Sequence, residues 1–212
     1  MVEQEAKSER SRGQILDAAL ELFSRQGYRG TSMRDIARAA DVSTGSVYHH
    51  FQDKEEVFET LLGQYWDAIQ SPDFPFNKAL ASGAFPDDLE ALGRAAKESV
   101  EAWRRHVALI YVDVVELEGN HIRNFYSGMA ARFDAFLTTH PAAVPLEKKL
   151  RPGVSRLSAV MLASRIFLHY FSVEVLFGVP RQFGKESDEA VADIADILRN
   201  GLLPARTGKK RR

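Results

Sequence analysis

His49 and His50 stand side by side within "DVSTGSVYHHFQDKEE", residues 41–56, although the whole chain holds only six histidines. Imidazoles so placed suggest three chemistries: metal ligation, proton transfer, or contact with a partner surface. Neighbouring residues on a helix project about 100° apart, so the pair cannot converge on one ion as residues four apart do. A catalytic base needs a nucleophile and an orienting acid, and only Ser46 is close by. A contact surface remains, with plain solvation as the alternative for His49. Elsewhere, Glu118-Gly-Asn-His121 has the spacing of a di-iron ligand pair, a chemistry that needs a second pair and two further glutamates; the sequence has no second copy. Asp113, Glu116 and His121 offer donors for a single divalent ion, although ionised residues on solvated helix faces are far commoner. The chain has no cysteine, which removes thiolate nucleophiles and thiolate metal sites. No enzymatic constellation emerges, and neither a metal nor a cofactor is expected.

The elements that must position these residues read as helices throughout. The chain has 212 residues, 45% hydrophobic and 27% charged, the composition of an ordinary globular protein. A net charge of −1 gives no bulk attraction to nucleic acid, so any such binding must come from local contacts. The opening MVEQEAKSERSR is too polar for a signal peptide, and no apolar run approaches the roughly 18 residues of a membrane span. A cytoplasmic protein without a membrane partner is the expectation. Ile15, Ala18, Ala19, Leu22 and Phe23 form one helical stripe, with Ser11 and Gln14 as a capping box and Gly27 as the stop. Thr31 is expected to cap a second helix and Ser43 a third. Asp53 with Glu56 opens a longer helix carrying Val57, Leu61, Leu62 and Tyr65. "SPDFPFN" at 71–77 reads as a linker, and Pro86 suits the first turn of the helix that follows. Further helices are expected over 103–117, 120–139, 154–178 and 187–202, with 139–153 a loop and RTGKKRR a basic, disordered tail.

With Val47 and Phe51 turned inward, Gly45, Ser46 and His49 face outward, and Tyr48 and His50 lie on the flanks. Two short helices joined by a tight turn, the second exposed, have the layout of a helix-turn-helix DNA reader. The segment TSMRDIARAADVSTGSVYHHFQDKEEVF resembles the N-terminal domain of the TetR family of bacterial transcriptional repressors, a likeness running from about Ile15 to Leu61 without a gap. Asp41 stands in the turn where the family usually has glycine. Aspartate tolerates left-handed backbone better than most residues, so the turn should persist. The resemblance implies that Thr44, Gly45 and Ser46 face base edges, that Arg34 reaches a guanine, and that His49 points into the groove. It also implies that Thr31, Tyr48, His50 and Lys54 hold phosphates. A reading head at 1–52 and a helical effector-binding and dimerisation domain at 53–212 follow from it. So does a repressor released from a palindromic double-stranded DNA operator by a small molecule.

In the second half, Leu157, Met161, Ser164, Leu168, Phe171 and Val175 alternate by four and three, the spacing of a seam against another helix. With Val191, Ile194, Leu198 and Leu202 they suggest the helical bundle of a homodimer, as the resemblance also implies; the central helix of a monomeric bundle is the alternative. Tyr65, Trp66, Trp103, Tyr111, Phe125, Met129, Phe133 and His169 are candidates to line a cavity for a mainly apolar effector, with Asp113, Glu116, His121, Arg165 or His169 as polar anchors.

Overall fold

The computed structural model describes residues 2–83, 85–141 and 149–200. Among them there is no strand, and the protein is all-α. The chain forms two compact units, one of residues up to 71 with 103–129, the other of 72–102 with the residues from 130 onward.

The first unit opens with α1 (Val2–Gln26). Ser11 therefore lies inside a helix rather than at its start. Nothing between residues 2 and 10 is a proline or glycine, so the helix continues past the apparent cap. Gly27 ends it at φ 80°, its N–H donating to Phe23 O. α2 (Met33–Ala39) is capped by Ser32, not Thr31: Asp35 N–H donates to Ser32 Oγ, and Ser32 N–H donates to Asp35 Oδ2. Thr31 is 2% exposed and turns its hydroxyl back to Gly27 O.

The turn into α3 (Thr44–His50) is a Schellman motif. Val42 N–H donates to Ala37 O and Asp41 N–H to Arg38 O, with Asp41 left-handed at φ 54°. Asp41 is exposed, so its conformation and not its packing sets its contribution. Asp41→Val should lower stability by about 1 kcal/mol, because a β-branched side chain fits left-handed backbone poorly. For a chain of this length that means melting about 2–4 °C earlier. Asp41→Gly should melt no lower than the native chain, and calorimetry of the two variants checks both.

Ser43 Oγ accepts from Ser46 N–H at 3.0 Å and starts α3, as its sequence position suggests. α4 (Lys54–Gln70) is capped by Asp53, whose Oδ1 accepts from Glu56 N–H; Glu56 in turn accepts from Gln52 N–H. α7 (Arg104–Glu116) and the first part of α8 (Asn120–Thr139) complete this unit. Its core brings Ile15, Ala19 and Phe23 of α1 against Ile36, Val47, Phe51, Val57 and Phe58.

The second unit holds α5 (Pro75–Ala81), α6 (Leu89–Ala102), the end of α8, α9 (Arg156–Val175) and α10 (Ser187–Asn200). α5 begins inside the stretch expected to be a linker. Pro75 sits at its first turn, where a missing N–H costs nothing. Pro86 lies ahead of α6 rather than in its first turn, and Asp88 Oδ1 accepts from Ala91 N–H at the helix entry. Gly93 lets α6 approach its neighbours: a Cβ there would stand 2.7 Å from Val191 Cγ1 and 3.0 Å from Phe167 Cε1. α9 buries Val160, Ala163, Ser164, Phe167 and Phe171. Ser164 and Phe171, with Val191 and Ile194 of α10, were expected in a seam between two chains; they are buried inside this unit of one chain. A four-and-three alternation is the same for packing within a chain and between chains, so spacing alone does not separate them. Leu157, Met161, Leu168, Val175 and Leu198 are half-buried. The outward face of α9 instead carries Leu162, 54% exposed, with Ile197 of α10 exposed as well. Leu202, the basic tail and residues 142–148 of the expected loop lie outside the described residues.

Candidate nucleic-acid interface and effector site

Val47 and Phe51 anchor α3 from beneath, at 0% and 1% exposure. Gly45, Tyr48 and His49 are exposed, Thr44, Ser46 and His50 are half-buried, and Arg34 of α2 is exposed. Ser46 Oγ lies 3.4 Å from Ser11 Oγ, so α1 passes beside the start of α3. The His49 and His50 rings meet edge to face at 5.2 Å. Arg12 stacks over Phe51 at 5.0 Å and adds a cation to this surface. Burial first, then His49 and Arg12, holds the His50 imidazole below its ordinary range. His50 thus offers neutral N–H hydrogen-bonding capacity at neutral pH.

Two residues expected at phosphates are engaged internally. The Lys54 ammonium donates to Tyr28 O at 2.7 Å and Thr31 O at 2.8 Å, and lies 4.1 Å from the centre of the Tyr28 ring. It clasps the loop between α1 and α2. Burial lowers its proton affinity, an effect opposed by Glu116. Thr31, buried with its hydroxyl committed to Gly27 O, presents no group to an outer surface.

The same loop is tied to α7. Glu116 Oε2 accepts from Arg29 N–H at 2.6 Å, and Glu116 O accepts from Arg29 Nη2 at 3.1 Å. Any side chain at position 27 would collide with this carboxylate, since a Cβ there would stand 2.1 Å from Glu116 Oε1. Glu116 is therefore a strut to the loop between α1 and α2 and not part of an ion site with Asp113 and His121. Asp113 is fully buried; its carboxylate accepts from Ile122 N–H at 3.0 Å and meets His121 Nδ1 at 2.6 Å.

Aromatic candidates converge along the far half of α4. Trp66 stacks on Phe125 with centroids 4.1 Å apart, and Tyr65 lies 5.8 Å from Trp103. His106, not singled out in the sequence, completes the group, 4.8 Å from Trp103 and stacked on Tyr65. Its signal was the three-residue spacing from Trp103, the residue at the N-cap of α7. His106 Nε2 is buried without a protein partner, and burial pushes the imidazole down to about 4, against a small upward pull from Asp17. Burial likewise raises the Tyr65 phenol, with Tyr126 adding to it. Tyr111 and Met129 are half-buried in the same unit, whereas Phe133 and His169 belong to the other. His169 borders an open groove of about 480 Å³ with Arg165, Ile166, Tyr170, Gln182 and Phe183. Among the described residues no helix is long and apolar enough to cross a membrane.

Residues 15–61 match the family model described as bacterial regulatory proteins, tetR family. Over this N-terminal segment the chain is similar to the TetR family. The HTH-type transcriptional repressor KstR2 of Rhodococcus jostii (strain RHA1) is 33% identical over 123 residues, 58% of this chain and 59% of that repressor. The HTH-type transcriptional regulator AcrR of Shigella flexneri is 44% identical over 65 residues, 31% of this chain and 28% of that regulator. The chain thus spans less than two thirds of the curated TetR-family relatives it matches. The crystal structure of NalD, the secondary repressor of the MexAB-OprM multidrug efflux pump in Pseudomonas aeruginosa, superposes with a TM-score of 0.61. It is 24% identical and covers 96% of this chain and 100% of NalD, a likeness of fold. The matched TetR-family segment contains α2, α3 and the turn at Asp41.

Proposed function

We propose that the chain is a ligand-responsive, sequence-specific DNA-binding transcriptional regulator, a homodimeric repressor released from a palindromic operator by a small, mainly apolar effector. The observation that carries this reading is α3, fixed from below by Val47 and Phe51 and presenting Gly45, Tyr48 and His49 outward within the TetR-family segment. Residues 1–52 serve as the reading head and 53–212 as the effector-binding and dimerisation part. Thr44, Gly45 and Ser46 meet base edges, with Arg34 and His49 reaching into the groove. Tyr48 and His50 hold phosphates. Lys54 and Thr31 act indirectly, by fixing the loop ahead of α2.

Tyr65, Trp66, Trp103 and Phe125 supply a mainly apolar wall, and the unpartnered His106 Nε2 supplies a polar anchor. α4 begins at Lys54 beside the reading head and carries Tyr65 and Trp66 near its other end. An effector that shifts α4 can therefore change DNA affinity, provided it binds one arrangement better than the other. The test is fluorescence anisotropy with DNA from upstream of the protein's own gene. Labelled DNA should bind at nanomolar protein and be released by an apolar ligand that also changes tryptophan emission. Binding no tighter than to scrambled DNA contradicts the reading.

Protonation gives a second check. Free His50 sits below its ordinary range, and a phosphate contact would raise it in the complex. Binding then takes up protons. Operator affinity should rise as pH falls through the interval between the free and bound values, and His50→Gln should flatten that rise.

A further inference from the structure

We propose that Glu55, Glu59 and His121 form a binding site for a divalent transition-metal ion, of which zinc is the best match, with Asp113 as the group that orients the histidine. Glu55 and Glu59 stand one turn apart on α4, and His121 is in the first turn of α8. One donor atom from each of the three residues lies within 4.8 Å of the others, and His121 Nε2 is 3.4 Å from Glu59 Oε1. Zinc–nitrogen and zinc–oxygen bonds of about 2.0–2.2 Å in a tetrahedron place donor atoms roughly 3.3 Å apart. The histidine and Glu59 are already at that separation. The two glutamates are exposed, so their carboxylates are free to close the rest by rotation.

The second observation lies behind the imidazole. A histidine that ligates a metal characteristically donates its other ring N–H to a carboxylate, which fixes tautomer and orientation. Asp113 Oδ1 stands 2.6 Å from His121 Nδ1 and is itself fully buried and held by Ile122 N–H. This arrangement places the proton on Nδ1 and turns the Nε2 lone pair toward Glu59. Phe58 packs edge to face on the ring at 5.8 Å and limits its rotation. Among the described residues neither glutamate is paired with a lysine or arginine, and Glu59 meets His121 Nε2. A dication would neutralise the two carboxylates, keep a fourth position open to water, and link α4 to α8. The site stands whether or not the chain reads DNA.

The test uses the full chain, stripped by a chelator and titrated with zinc chloride against a chromophoric competitor, with cobalt(II) as a reporter of geometry. One zinc per chain is expected, with visible cobalt bands of tetrahedral intensity and a melting temperature raised by added zinc. The double variant Glu55→Gln/Glu59→Gln changes only exposed positions on α4 and should lose all three signals while keeping its helical circular dichroism. Asp113→Asn should weaken zinc binding by about 10–100-fold. Two results would overturn the proposal. One is no zinc uptake by the native chain, which would leave His121 as a hydrogen-bonded link between Asp113 and Glu59. The other is uptake that survives the double variant, or that is lost instead with His49→Ala/His50→Ala.

Discussion

Phe51→Ala should abolish specific DNA binding and lower stability by about 3–5 kcal/mol, the range for truncating a buried phenylalanine. Phe51 is 1% exposed, lies at the end of α3 under the Arg12 guanidinium, and belongs to the core that joins α1, α2 and α4. Its removal opens a cavity under the helix proposed to read bases. Denaturant unfolding measures the loss of stability, and anisotropy at a temperature where the variant remains folded measures the loss of binding. Tyr48→Phe is the control. Tyr48 is 56% exposed, so this change should leave stability unaltered and weaken binding to all sequences alike, as loss of one phosphate contact does. If Phe51→Ala binds operator as the native chain does, α3 is not the reading element.

Leu162→Glu should split the proposed dimer and reduce operator affinity by about 10²–10⁴-fold, the contribution of linking two weak heads into one binder. Leu162 is 54% exposed on α9 and close in kind to Ile197, 45% exposed on α10, so the charge meets solvent in a single chain and an apolar partner only in a dimer. Sedimentation should show monomers with native circular dichroism. Phe171→Asp is a contrasting variant: at 1% exposure it places a charge in this chain's own core and should unfold the unit rather than separate two chains. Native protein that sediments as a monomer at micromolar concentration contradicts the dimer.

The segment carrying α2, α3 and the start of α4 was largely legible because its signals are local. A turn of about 100° per residue puts Val47 and Phe51 inward, and they are buried. Ser43, Asp53, Gly27 and Asp41 each announce a cap or turn through side-chain chemistry that acts within a few residues, and each does so in the structure. Thr31 and Ser32 show the limit: two adjacent hydroxyls qualify as the cap, and only Ser32 has Asp35 placed to return the bond. Lys54 was misleading for another reason. The carbonyls of Tyr28 and Thr31 that hold it are backbone atoms, identical in every sequence.

Longer-range partners left weaker traces. Asp113 and His121 are eight residues apart, and their meeting depends on left-handed backbone at Glu118 and Gly119. Nothing in the sequence pairs them with Glu55 and Glu59, more than fifty positions earlier. The burial of Phe171 and Ile194 within one chain was hidden by a spacing that serves both kinds of helix contact.

Selection from a random pool of double-stranded DNA tests the central claim most directly. Two heads on one dimer should enrich an inverted repeat, its half-sites centred about 10–10.5 base pairs apart or a multiple of that distance. Arg34→Ala should relax the preference at particular positions of the repeat and leave the rest. A pool that shows no sequence preference after selection by the native chain contradicts the account.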